Sequence, residues 1–209
     1  MNQEANVTQR IYELIIKAGL GSLKRVSKQR SVTTSEFRNT VTSWFGQEIP
    51  WPLVEPDLIL VFEDVRKIID DVMIVAIEIK YFKQAKDLDK RLRQSFREVG
   101  QPLRNLIFGV DSTAQWHIFS PDIEEHKIHN YVNVIEEVIR KLNLPLVYLA
   151  TARPNDTFKV YKPFELDKYD LQSWVIWVQN LCADHRNPIM NRDTDIRRRA
   201  LKLALRIPS

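Results

Sequence analysis

Residues 55–83 read EPDLILVFEDVRKIIDDVMIVAIEIKYFK, and two apolar runs within them limit what this chain can become. Leu58 to Phe62 is apolar throughout, and Val72 to Ile79 is apolar on both faces apart from Glu78. A strand of that kind needs cover on both sides, as at the centre of a helix-flanked sheet. The charged segment FEDVRKIIDD between them reads as a turn or hairpin excursion. Each run also carries charge at one end. Asp57 opens the first, and Glu78 and Lys80 close the second. Buried charges cost free energy unless they are solvated, paired or metal-bound, so these three need an explanation.

The rest of the chain alternates helical and extended patterns. Val7, Ile11, Leu14, Ile15 and Ala18 predict a first helix, which Gly19 and Gly21 stop. Thr34 or Ser35 caps a second, with Phe37, Val41, Trp44 and Phe45 on its apolar side, before Pro50 and Pro52 enforce extended chain. Ala85, Leu88, Leu92, Phe96 and Val99 predict one helix over 84–99. Strands are predicted over 105–110 and 115–119, joined by the turn-prone DST. A helix over 131–142, strands over 144–150 and 159–161, and an aromatic-rich helix over 170–182 follow. A basic helix over 193–205 closes the chain. The expected class is α/β, a central mixed β-sheet flanked by helices with a C-terminal helical extension. The expected segments are a helix and basic loop (1–33), a core (34–150) and the extension (151–209), which either stands apart or packs on the core as one domain.

Composition removes several classes of function. A hydrophobic share of 44% suffices for a large core and argues against disorder. The single cysteine, Cys182, excludes an intramolecular disulfide and a cysteine-based zinc cage. With no secretory apolar segment and no run near the roughly 20 residues that span a bilayer, a cytoplasmic protein is expected, in the host cytoplasm if the source is viral. A formal charge of +4 suits a polyanionic partner without singling one out. Local clusters say more. Lys24, Arg25, Lys28 and Arg30 fall within seven residues, as a solvated loop or a phosphate-contacting arm. Lys86, Lys90, Arg93 and Arg97 recur at i, i+4, i+7 and i+11, a basic ridge suited to nucleic-acid phosphates. Arg197, Arg198 and Arg199 form a further cluster. His126 and His129 read as surface histidines, since no adjacent Cys or Glu completes a zinc pattern. No Walker loop, dinucleotide fingerprint or GxSxG motif is present.

Alternate side chains of a strand share a face, so Glu78 and Lys80 point the same way. If the two apolar strands are neighbours, Asp57 joins them at one end of the sheet. Two carboxylates there make a hard oxygen site suited to Mg²⁺. Pro56-Asp57, followed after a hairpin-sized gap by Glu78-Ile79-Lys80, resembles the PD-(D/E)XK nuclease superfamily. That superfamily includes many restriction endonucleases, archaeal Holliday-junction resolvases and recombination exonucleases. The resemblance spans about residues 34–120 and implies a restriction-endonuclease-like core. It implies Mg²⁺, with Mn²⁺ as a substitute, held by Asp57, Glu78 and the Ile79 carbonyl, and Lys80 as the catalytic lysine. The family's additional acid, on a preceding helix, falls on Glu13 or Glu36, with Glu36 preferred. The glutamine that some branches carry falls on Gln94 or Gln101.

The function so implied is Mg²⁺-dependent hydrolysis of DNA phosphodiesters, on branched or otherwise structured DNA. The alternatives are a restriction-type endonuclease domain and a non-catalytic DNA-binding protein that keeps the fold. A homodimer is expected, because one such site cuts one strand. The helix bearing Trp174, Val175, Trp177 and Val178 would supply its interface or pack internally.

Overall fold

The computed structural model describes residues 3–28, 35–45, 56–64, 72–92, 95–190 and 196–207. Its strands are β1 (Leu23–Lys28), β2 (Leu58–Glu63), β3 (Val72–Phe82), β4 (Ser112–Phe119), β5 (Val147–Ala152), β6 (Thr157–Lys162) and β7 (Leu166–Asp170). They form one seven-stranded sheet in sequence order. β3, β4 and β5 run parallel, and every other neighbouring pair is antiparallel. Parallel neighbours need crossovers, which are helical here. α3 (Ala85–Leu92) and α4 (Ser95–Ile107) lead from β3 to β4, and α5 (Glu125–Lys141) leads from β4 to β5. The sheet draws strands from all three segments expected from the sequence.

Alternation along β2 and β3 divides the core. Leu58, Leu60 and Phe62 join Met73, Val75, Ile77 and Ile79 on one face, beneath α1 (Gln3–Ala18) and α6 (Leu171–Asp184). Ile59, Val61, Ile74 and Ala76 point the other way, with Phe37 of α2 (Ser35–Phe45) and Leu201 and Leu205 of α7 (Ile196–Leu205). Farther along the same face, Phe82 and Phe119 meet Leu88 of α3 and Tyr131 of α5. Both faces of the central strands are covered, as their continuous apolar runs require.

Several expectations are corrected. Residues 23–28 form an edge strand paired with β2, so this part of the basic stretch is not a free loop. The single helix expected over 84–99 is two: α3 ends at Leu92, and α4 begins at Ser95 and runs through Ile107. The run Asn105–Val110, read as a strand, is the end of α4 and the turn after it. A short apolar run does not by itself distinguish buried helix from strand. Gly109 makes that turn at φ +82°, and a Cβ there would lie 2.8 Å from the Arg198 backbone nitrogen. Only glycine allows α7 to approach so closely. β7 was not foreseen, because its residues are mostly exposed and its extension comes from pairing with β6.

The last two helices overturn two readings of surface. Trp174, Val175 and Val178 are buried against the sheet, with the Trp174 ring 5.9 Å from Trp116 and 5.6 Å from Trp177. They pack internally and are not an exposed dimer face. Arg197 and Arg198 are likewise interior, leaving only Arg199 of that cluster exposed. Arg197 donates to the Ile107 and Ile189 carbonyls, and Arg198 donates to the Asp111 carboxylate and the Val72 carbonyl. Asp111 also accepts the Ile74 N–H at 2.6 Å. Beside it, Arg186 donates to both oxygens of Asp64, at 2.9 and 3.0 Å. Among the described residues, no helix is long and apolar enough to cross a membrane.

Candidate active site

Asp57 sits one step before β2, and Leu58 pairs with Ile77. That register brings Asp57 beside Glu78. Its Oδ2 accepts the Ile79 N–H at 2.8 Å, a bond that fixes the carboxylate against β3. The N–H and C=O of a strand residue point to the same side. Ile79 therefore turns its carbonyl toward Asp57 as well, past the last paired step of β2. The three ligands implied by the resemblance thus meet at one place.

Glu78 is buried, at 4% exposure, and its Oε1 accepts from Asn105 Nδ2 of α4 at 2.9 Å. Gln115 of β4, in register with Glu78, donates through Nε2 to the Glu78 carbonyl at 3.3 Å. Lys80 lies two residues along the same face, and its ammonium is 3.3 Å from Glu4 Oε1. Five elements thus surround the acids: α1, β2, β3, α4 and β4.

Burial dominates the electrostatics. Burial pushes Asp57 up to about 6, the Ile79 N–H opposes it, and Glu78 raises it further. Burial also raises Glu78, against the Asn105 hydrogen bond and the positive charges of Lys80 and Arg104. At both acids burial outweighs the nearby positive charge, a strain that a bound cation would relieve. A second observation agrees. Among the described residues, Asn105 Oδ1 and Gln115 Oε1 are buried acceptors with no hydrogen-bond partner, on the two residues that hold Glu78. An all-oxygen donor set of this kind fits a hard divalent ion such as Mg²⁺ or Mn²⁺.

The raised values have a thermodynamic consequence of definite sign. Between about pH 4 and 6 the folded chain holds a proton on Asp57 that the unfolded chain has released. Stability therefore falls as pH rises through that window, and the full penalty persists above it. A shift of about two pH units sets an upper limit of about 3 kcal/mol. In chelator at pH 8, Asp57→Asn is expected to melt several degrees above the wild type. The difference should vanish near pH 4 and shrink when Mg²⁺ is added. Equal melting temperatures at pH 8 would show that Asp57 carries no such strain.

Among the described residues, the helix acid in contact with Lys80 is Glu4 of α1, which was not among the expected candidates. Glu13 is exposed and bonded to Gln9 Nε2, and the side chain of Glu36 lies outside the described residues. A signal for Glu4 was present. It is three residues before Val7 and seven before Ile11, on the buried stripe of its own helix. Asn105 and Gln115 carry no signal of their own in the sequence, where each only opens a segment that predicts a strand, 105–110 and 115–119. Gln101 lies half-buried on α4.

The basic residues divide differently from expectation. Lys86 and Lys90 are exposed on α3, while Arg97 belongs to α4, so no single helix carries the ridge. Arg30, Arg93 and Gln94 lie outside the described residues, as does the side chain of Arg97. Lys24 pairs with Glu63 at 2.9 Å, and Lys28 stands 5.2 Å from the centre of the Tyr12 ring. Arg25 donates to the carbonyls of Leu205 and Arg206, tying β1 to the end of α7.

Elsewhere, Glu125, His129 and Glu165 place three donor atoms within 4.8 Å of one another, so His129, expected as a plain surface histidine, has two acidic neighbours. Glu165 is brought in from across the fold. The Lys159 ammonium already supplies positive charge there, bonded to Glu125, 3.0 Å from Asp167 and 3.5 Å from Glu165. Burial pushes the Cys182 thiol up to about 12, which leaves it inert as a nucleophile near neutral pH. No protein-family model matches this chain, and no curated protein matches it.

Proposed function

We propose that this protein is a Mg²⁺-dependent deoxyribonuclease of the PD-(D/E)XK superfamily, with β2, β3, β4 and their flanking helices as a restriction-endonuclease-like core. The observation that carries the reading is the Asp57 carboxylate bonded to the Ile79 N–H beside buried Glu78, with Lys80 on the same face. Asp57, Glu78 and the Ile79 carbonyl would hold the ion. When bound, Mg²⁺ lowers the pKa of a coordinated water and polarises the phosphodiester. Lys80 sets a positive charge beside the position where charge develops on the phosphate, and can orient the attacking water. Glu4 holds that ammonium in place, and Asn105 fixes the rotamer of Glu78. Branched or structured DNA is the substrate class that the resemblance favours.

The direct test is incubation with a four-way junction, a linear duplex and single-stranded DNA, each with Mg²⁺ and with chelator. Mg²⁺-dependent scission is expected, with the junction cut fastest. Preference for the linear duplex would select the restriction-type reading. Binding without scission of any substrate would leave a DNA-binding protein and end the nuclease proposal.

Paired incisions need two sites, and a two-fold dimer matches the symmetry of duplex or junction DNA. Light scattering in moderate salt is expected to give twice the chain mass of 24.6 kDa. A single-chain mass at micromolar concentration would exclude paired cutting by a preformed dimer.

A further inference from the structure

A cleft of about 610 Å³ opens at the carboxyl ends of the three parallel strands. Tyr81 and Lys83 line it from the end of β3, Ser120 and Asp122 from beyond β4, and Arg153 from beyond β5. The first turns of α1 close it on the other side. Ligands of open α/β sheets bind in this position, and the volume is that of a small-molecule pocket. It also adjoins the candidate active site through two sequence neighbours. Tyr81 follows Lys80, and Gln3, another lining residue, precedes Glu4. Successive strand residues face opposite ways, so Tyr81 and the cleft lie across β3 from Glu78 and Lys80, at the same end of the strand.

The charge in the cleft is unbalanced. Lys83 and Arg153 are both exposed, and among the described residues neither has a carboxylate within salt-bridge distance. Among the described residues the one acid lining the cleft is Asp122, which accepts from the Ser120 hydroxyl at 2.9 Å and leaves the lining with one positive charge in excess. Half-buried Tyr81 adds an aromatic ring, and exposed Asn6 and Asn155 add amide groups. Two free cations around an aromatic wall are the elements of single-strand recognition, charge for the backbone and a ring for the base.

We propose that this cleft binds the nucleotide next to the scissile phosphate on a single DNA strand, with its phosphate on Lys83 and Arg153 and its base against Tyr81. The proposal rests on the nuclease reading for the identity of the ligand as DNA, but its test needs no cleavage. The full-length chain is titrated into a fluorescent single-stranded oligonucleotide in chelator, over a range of salt. The double variant Lys83→Ala/Arg153→Ala is expected to bind at least about tenfold more weakly. Its log–log salt slope should be smaller by about 1.4, at roughly 0.7 per single-strand phosphate contact. Tyr81→Leu should weaken binding with the slope unchanged. Both cations are exposed, so the double variant should keep the wild-type melting temperature.

Loss of affinity in the double variant supports the cleft even if the wild type cuts no DNA with Mg²⁺, a result that would end only the nuclease reading. Wild-type affinity and slope in the double variant overturn the cleft even if cleavage is robust. Absence of any oligonucleotide binding by the wild type overturns it as well.

Discussion

Asp57→Ala and Glu78→Ala are each expected to lower Mg²⁺-dependent DNA cleavage by about a thousandfold or more, with DNA affinity in chelator nearly unchanged. A metal-bound water and a polarised phosphate supply several kcal/mol to the transition state, and each 1.36 kcal/mol is a factor of ten in rate. If Asp57 and Glu78 hold the ion as proposed, removing either forfeits most of that. Ground-state DNA binding comes mainly from cations on phosphates, which these substitutions leave in place. The expected signature is therefore a collapse in kcat without a matching rise in Kd. Misfolding would give a different one, because relieving a buried acid of its raised pKa should preserve or increase thermal stability in chelator. Full activity in either variant would remove the assignment of the acids, and an equal loss of binding and rate would point to structural damage.

Arg198→Met is expected to be the most destabilising single change among those considered, at about 3–5 kcal/mol. It would strand Asp111, which has no exposed surface, beside a partner that no longer compensates its charge. Burial already pushes Asp111 up to about 6 in spite of Arg198 and Arg186, so desolvation outweighs both attractions even with the pair intact. Arg198 also donates to the Val72 carbonyl, a hydrogen bond that methionine cannot make. For a chain of this size the melting temperature should fall by about 2–4 °C per kcal/mol. Denaturant unfolding of Arg198→Met, Asp111→Leu and the double variant provides the measurement. The double variant should recover part of the loss, because a buried pair replaced together costs less than one broken. A loss below about 1 kcal/mol in Arg198→Met would mean that the pair contributes little and that α7 is held by its apolar face and by the Arg197 and Arg25 hydrogen bonds.

Much of the centre of this molecule was legible. β2 and β3 announce themselves because strands covered on both faces must be apolar at successive positions. Asp57, Glu78 and Lys80 stand out because charge at the ends of such strands needs a reason. α1, α5 and α6 follow from helical periodicity. The ends of elements were less legible. The run Asn105–Val110 carries apolar residues that suit either a buried strand or the last turns of a helix, and only the docking of α7 at Gly109 distinguishes them. β7 has no pattern of its own and exists because β6 offers it hydrogen bonds.

Local order along the chain was enough to specify the central strands and the three motif residues, since those depend on spacing within a few residues. Partners distant in sequence were not. Glu4 reaches Lys80 across 76 positions, and Asn105 reaches Glu78 across 27. Arg198 reaches Asp111 across 87 and is turned from an apparent surface cation into an interior one. A charged side chain looks the same in sequence whether it faces water or a buried counter-charge. Its role is decided by which element packs over it, and that packing is a property of the assembled sheet and helices.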